Sequence, residues 1–349
     1  MEINNQNVEQ ELQKIVGEEN VLTDLATRMI FSRTVGPMEF KHNLAGDFSA
    51  MPALVVQPGN AEEIAQILIL ANQLKIDVVP FGGASGISEG TSLPDAIMLD
   101  TKRLTGITIN PVNMSATVGA GVNGYHLEEY LNNLGYTCGH FPQSMNSASV
   151  GGYVSTAAIG TFSGRYGKME DIVVGLEVVL PQGQIMTVRP IPRRSTGPHL
   201  EALFIGCEGA LGVVTKAIIK IHPLPEKRSW LTYTFKDTPT ALQAIRQLMR
   251  TDAQAALVRL YDEYEAATRV SRFNLPEGSA LLFLAYEGDA GMVDWQIERA
   301  REVMKVNQGV MQPEKVALDW FENRFDTNGM LKINQIMGGV ADSLELAAP

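Results

Sequence analysis

Apolar and polar positions alternate along the chain in two different rhythms, which change near residue 225. In the first part, Leu54-Val55-Val56 is a short apolar run that stops at Pro58-Gly59 and reads as a strand. Asn60 then opens a helical stretch in which Ile64, Ile67, Leu68, Ala71 and Leu74 recur at three- and four-residue steps. Glu63, three residues after Asn60, completes a capping box. Strands are predicted over 76–81, 96–100 and 115–118, and a helix over 125–134 that stops at Gly135. The runs 176–180 and 184–188 predict a hairpin turning at Gln182-Gly183. Alternation from Val213 to Ile221 predicts a long strand closed by Pro223 and Pro225. Beyond that point, strands predicted at 230–235, 257–261 and 281–286 alternate with helices at 239–250, 263–271 and 292–305. One more strand is expected at 340–346. Long single helices between strands suggest an antiparallel sheet covered by helices, in an α+β chain.

With 349 residues the chain is too long for one compact core. The expected division is a lead-in over 1–50, one domain over 51–225 and a second over 226–349, with the Pro- and charge-rich segment 223–228 between them. A net charge of −11 and the lack of a basic stripe argue against a nucleic-acid partner. No apolar run approaches the ~20 residues of a membrane span. Met1 to Asn20 is polar and acidic, and reads as neither a signal nor a transit peptide. Two cysteines, Cys138 and Cys207, cannot build a disulfide framework, which fits a reducing cytoplasm. The five histidines lack metal-ligand spacing, so no metal is expected.

Residues 130–164 contain no Asp, Glu, Lys or Arg, although 19% of the chain is charged. They are instead crowded with Gly, Ser, Thr, Asn and Gln, as suits the wall of a pocket for a large uncharged ring. Gly119-Ala120-Gly121-Val122-Asn123-Gly124 matches the dinucleotide pattern G-x-G-x-x-G. That pattern requires an acid roughly 20 residues on, but after Glu129 the next carboxylate is Glu170. A plain strand–turn–helix junction is therefore the expectation. Gly82-Gly83-Ala84-Ser85-Gly86 follows a strand, and 76–101 holds no Lys or Arg, so an anion there would rest on backbone N–H groups. A surface loop fits the same residues. The paired glycines within Ser149–Thr156 again suit backbone contact with a ligand. His140 is a candidate for proton transfer, or else packs as a structural histidine. Glu208, in the glycine turn 206–212, accepts neighbouring amides or is solvated.

In order and spacing these segments resemble the FAD-binding family of vanillyl-alcohol oxidase and p-cresol methylhydroxylase (PCMH). The matching stretches are 80–88, 117–122, Pro142-Gln143-Ser144, 149–156 and 206–212. Gly-His-x-Pro-x-Ser at 139–144, Tyr166-Gly167-x-x-Glu170-Asp171 and Ser195-Thr196-Gly197-Pro198 look like alkyldihydroxyacetonephosphate synthase. Gly83–Ser88 and Leu180-Pro181-Gln182-Gly183 look more like the glycolate oxidase and D-lactate dehydrogenase group. The resemblance implies a two-subdomain PCMH-type FAD-binding domain followed by an α+β cap domain with an antiparallel sheet. It assigns Gly82, Gly83, Ala84, Ser85 and Gly86 to the diphosphate, with Pro80 and Ile87 also binding the cofactor. Pro142, Gln143, Ser144, Ser149, Gly151, Gly152, Ser155 and Thr156 would line the flavin and ribityl chain. Glu208, Gly212, Val213 and Val214 would lie at the nucleotide end. FAD is expected to be held non-covalently.

The implied activity is oxidation of a small 2-hydroxy acid or related alcohol, with His140 as base and Arg259 beside the flavin and an anionic substrate. The alternatives are non-redox alkyl transfer of the synthase kind, or flavin binding without turnover. The synthase pattern has an Asp where this chain has Gln143, which weighs against alkyl transfer. Family members continue past Pro349, so the chain is expected to be a fragment whose cap is truncated. A small-molecule substrate is the expected partner, and homodimerisation stays open.

Overall fold

A computed structural model describes residues 5–32, 36–48, 50–87 and 93–325. The chain opens with α1 (Asn5–Val16), β1 (Val21–Leu22), α2 (Leu25–Phe31) and α3 (Pro37–Leu44). It continues with β2 (Leu54–Val56), α4 (Ala61–Leu74), β3 (Val78–Phe81) and β4 (Ile97–Asp100). These strands make a sheet of order β1-β2-β4-β3, parallel except for β1. Strands β2 and β3 run parallel on either side of β4, and α4 supplies the long crossover that joins them. The Asn60 side chain accepts the Glu63 amide (2.8 Å), and the Glu63 carboxylate accepts the Gly59 amide (2.7 Å), so the helix starts where its capping residues stand. Ile64, Ile67, Leu68 and Ala71 are its buried stripe. The strand expected from residue 76 begins at Val78, because the Ile76 amide turns back to the Ala71 carbonyl (3.0 Å).

The second sheet is built from β5 (Ile107–Asn110), β6 (Ser115–Gly119), β8 (Val173–Val179), β9 (Ile185–Val188) and β10 (Val213–Lys220). Its order is β5-β6-β10-β8-β9, antiparallel throughout. Between β6 and β8 run α5 (Gly124–Asn132), β7 (Tyr136–Thr137), α6 (Val150–Ser155), α7 (Ser163–Tyr166) and α8 (Met169–Ile172). Helix α9 (Glu201–Phe204) precedes β10, and β11 (His222–Pro223) pairs with β7. The G-x-G-x-x-G is the β6–α5 junction, capped by Asn123. A methyl group on Gly119, Gly121 or Gly124 would overlap, respectively, the Leu104 carbonyl, the Thr101 carbonyl or the Tyr153 hydroxyl. All three glycines therefore serve packing. One core, including Ile64, Leu99, Val118, Leu176 and Ala217, fills the space shared by the first two sheets.

The third sheet comprises β12 (Lys227–Phe235), β13 (Leu257–Tyr261), β14 (Ala280–Gly288) and β15 (Val310–Gln312), in the antiparallel order β13-β14-β12-β15. Strand β14 is buried at every position, and its alternation divides it between two cores. Leu282, Leu284 and Tyr286 face one core with α10 (Thr238–Leu248) and α12 (Ala290–Val306). Leu281, Phe283 and Ala285 face the other, with α11 (Glu263–Arg272) and α13 (Lys315–Glu322). Phe162 and Tyr166, which precede the second sheet's β8, belong to this latter core, so the third sheet's second face is fastened to the rest of the chain. Each such side chain removed from water contributes roughly 1.5–3 kcal/mol. The strand expected at 340–346 lies outside the described residues.

Candidate functional site

A cleft of about 400 Å³ opens at the carboxyl ends of β3 and β4, within the size range of small-molecule sites. Its wall collects four separated stretches of sequence. Pro80 comes from β3, Gly82, Gly83, Ala84, Ser85, Gly86 and Ile87 from the loop after it, and Ser144 and Ser149 from the segment before α6. Gly151, Gly152, Ser155 and Thr156 come from α6 and its end, and Glu208, Gly212, Val213 and Val214 from the turn before β10. All of these were sequence candidates, drawn together from positions 80 to 214. Ser88, the last residue of the quoted loop motif, lies outside the described residues.

The loop is shaped by close packing. A methyl on Gly82 would overlap the Ser149 hydroxyl, and one on Gly83 the Ser147 carbonyl. Ala84 (φ 50°) and Glu208 (φ 49°) hold left-handed backbone on opposite rims, and Ala157 (φ 49°) holds it just behind the wall. Non-glycine residues adopt that region at a cost and gather where a site dictates the backbone. Among the described residues, the amides from Gly83 to Ile87 have no acceptor within the protein. The first amides of α6 are already spent: Val150 donates to Val122 (2.9 Å), Gly151 to Ala120 (2.8 Å) and Gly152 to the Ser149 hydroxyl (3.3 Å). Unpaired N–H groups are therefore concentrated in the loop after β3. Among the described residues no Lys, Arg or His lines the cleft, and Glu208 is its one charged group. The nearest lysine in sequence, Lys102, is occupied by Asp100 (3.2 Å) and by the rings of Phe31 (4.6 Å) and Phe81 (4.9 Å). Neutral walls, small residues and free amides fit the diphosphate and ring of FAD.

Four expected residues lie off this lining. Pro142 is buried beside it and Gln143 is exposed. His140, expected as a base, is 2% exposed and packs edge-on against Tyr153 (4.7 Å), whose ring does line the cleft. Both ring nitrogens of His140 lack partners among the described residues, and burial pulls its pKa from 6.5 down to about 4. The buried, neutral imidazole thus stands off the cleft lining, behind Tyr153. Arg259, expected beside the flavin, is exposed on β13. Its Nε donates to the Tyr261 hydroxyl (3.0 Å), and its guanidinium lies over the rings of Tyr261 (4.9 Å) and Trp320 (5.6 Å).

The sequence reading missed Phe81, Thr101, Ala148, Tyr153 and Ala158 as lining residues, whereas Gly209 falls in the turn 208–212 already expected at the nucleotide end. Phe81 and Tyr153 stand inside the quoted motifs. Thr101 follows β4, and only the parallel pairing of β3 with β4 brings it there. Among the described residues, no group of His, Cys, Asp and Glu side chains could hold a metal ion. None of their helices is long and apolar enough to cross a membrane.

Residues 52–189 match the FAD binding domain family. An uncharacterised FAD-linked oxidoreductase of Escherichia coli (strain K12) is 33% identical over 319 residues, covering 90% of this chain and 65% of its own length. The alkyldihydroxyacetonephosphate synthase of Caenorhabditis elegans is 34% identical over 223 residues, covering 62% of this chain and 37% of the synthase. Glycolate oxidase subunit GlcD of Bacillus subtilis (strain 168) is 27% identical over 309 residues, covering 87% and 64%. Among solved structures, an alkyldihydroxyacetonephosphate synthase superposes with a TM-score of 0.84 at 22% identity, covering 94% of this chain and 65% of that one. The chain thus spans about two thirds of the length of the first of these relatives, and less of the others.

Proposed function

We propose, for a chain that belongs to the FAD-binding flavoprotein family of p-cresol methylhydroxylase, glycolate oxidase subunits and alkyldihydroxyacetonephosphate synthases, that it oxidises a small 2-hydroxy acid or related alcohol. FAD, when bound, supplies the acceptor for the hydride that leaves the substrate carbon. The observation that carries the reading is the row of amides from Gly83 to Ile87 that find no acceptor among the described residues, on a cleft without basic side chains in its described lining. Those amides hold the diphosphate. Ser144, Gly151, Gly152, Ser155 and Thr156 line the flavin and ribityl chain, with Pro142 and Gln143 adjoining, and the segment from Glu208 to Val214 meets the nucleotide end. We take the flavin to be held without a covalent bond, which the lack of cysteine and histidine among the described lining residues supports. Arg259, its Nε held by Tyr261, offers its remaining guanidinium N–H groups to an anionic substrate group. No described residue is assigned the base.

Acid treatment of the purified yellow protein releases FAD, and anaerobic mixing with D- and L-2-hydroxy acids bleaches its visible band. A colourless protein that takes up no FAD would sink the cofactor reading. A yellow protein bleached by none of the acids would sink the substrate reading alone.

The likeness to the synthase in sequence and fold favours one competitor, non-redox alkyl transfer. Exchange of acyl for alkyl on a dihydroxyacetone phosphate ester, with no net flavin reduction, would replace the oxidase reading.

A further inference from the structure

Tyr166 belongs to a motif that the cofactor site does not use. It ends α7, a single turn lodged between the cleft side of the molecule and the third sheet. Three glycines make room for that turn. Gly139 (φ +69°) lies flat under the Tyr166 ring, where any side chain would overlap it. A methyl on Gly164 would come within 2.9 Å of the Ala256 carbonyl, so α7 sits directly on the backbone leading into β13. A methyl on Gly288 would come within 2.7 Å of the Arg165 guanidinium.

Across this joint the Tyr166 hydroxyl donates to Glu287 of β14 (2.6 Å), and the other oxygen of that carboxylate accepts Arg228 Nε from β12. Glu287 is 2% exposed, so its charge depends on these two donors. Arg228 is further held over the ring of Phe162 (4.8 Å). Burial and the Glu287 carboxylate both push the Tyr166 hydroxyl above its ordinary pKa, which keeps it a donor.

From Gly139 the chain runs through His140, edge-on against the cleft residue Tyr153 (4.7 Å), to Ser144, which lines the cleft itself. Thr161, just before α7, ties the same stretch by donating its amide (2.9 Å) and hydroxyl (2.7 Å) to the Phe141 carbonyl. We propose that Tyr166 is a positioning residue: through Glu287 and Gly139 it sets the distance between the third sheet and the cleft wall at 139–144. That wall carries Ser144 into the cleft, so its placement bears on the substrate, an inference that rests on the flavin-cleft reading above. The hydroxyl acts through the wall and touches neither cofactor nor substrate.

Two measurements on the FAD-loaded protein test this with Tyr166→Phe, which removes one oxygen and keeps the ring on Gly139. Hydrogen exchange at the amides of 139–144 is expected to quicken about tenfold while β14 stays protected. In the hydroxy-acid assay, kcat is expected to fall about tenfold with FAD affinity unchanged. Unchanged exchange at 139–144 would overturn the proposal, as would a lowered Tm with kcat intact. If the wild type oxidises none of the acids, the substrate reading has failed, and the exchange experiment still decides the role of Tyr166. Should Y166F not fold, Glu287→Gln, which keeps the size and one accepting oxygen, is read in the same two ways.

Discussion

Gly83 shows how a single residue serves both packing and ligand. Its missing side chain lets the loop close onto the Ser147 carbonyl, and the amides that follow find no acceptor among the described residues. Gly83→Ala is expected to weaken FAD binding at least tenfold, or about 1.4 kcal/mol, as read by flavin fluorescence titration. His140 carries a different prediction. Its folded pKa of about 4 lies below the ordinary 6.5, so the unfolded chain binds the proton first as pH falls. Its contribution to stability is intact above pH 6.5 and is lost between 6.5 and 4, up to about 3 kcal/mol. The buried Glu128 carboxyl, raised by desolvation, works in the opposite direction, so the comparison belongs against His140→Phe. Urea unfolding at pH 7 and pH 4.5 should show a steeper loss in the wild type than in that variant, and equal losses would refute the assignment. The polar type of His140 was legible in the sequence, but its burial was not, because neighbours in the chain do not report what covers a side chain.

At the level of elements, the period of apolar residues located β8, β9, β10, β12 and α12 with only their ends displaced. Long, strongly periodic runs bury one face wherever they pack, so their signal survives. Helix α6 was hidden because Gly151 and Gly152 weaken helical propensity and the segment reads as a loop. Only Ser149 marks its start, by accepting the Gly152 amide. Ser149→Ala is expected to cost about 1 kcal/mol in urea unfolding and to loosen FAD binding, since the freed amide and the loosened Gly82 contact both border the cleft. A stability change without any change in FAD affinity would detach α6 from the cofactor. Strands β5 and β15 were missed for another reason. They are edge strands with exposed alternate residues, and only pairing with a neighbour defines them.

Taken as a whole, the molecule carries eleven excess negative charges yet offers a cleft fitted to an anionic nucleotide. Backbone dipoles at contact distance resolve the conflict, because they are screened far less than surface charges. Raising NaCl from about 50 to about 500 mM should therefore change the FAD Kd by less than about threefold. A tenfold weakening would expose a basic side chain in the site. FAD at one hundred times its Kd should raise the unfolding free energy by about 2.7 kcal/mol, visible as a higher Tm. By itself the sequence determined which stretches are neutral, small and turn-forming, and which carry helical or strand period, because those properties are local to the chain. Only the tertiary structure decided that Thr101 and Tyr153 join the cleft, that His140 withdraws behind it, and that Tyr166 meets Glu287 from 121 positions away. A residue's type and spacing record the face it will bury, but which distant face comes to meet it is settled by the packing of the sheets.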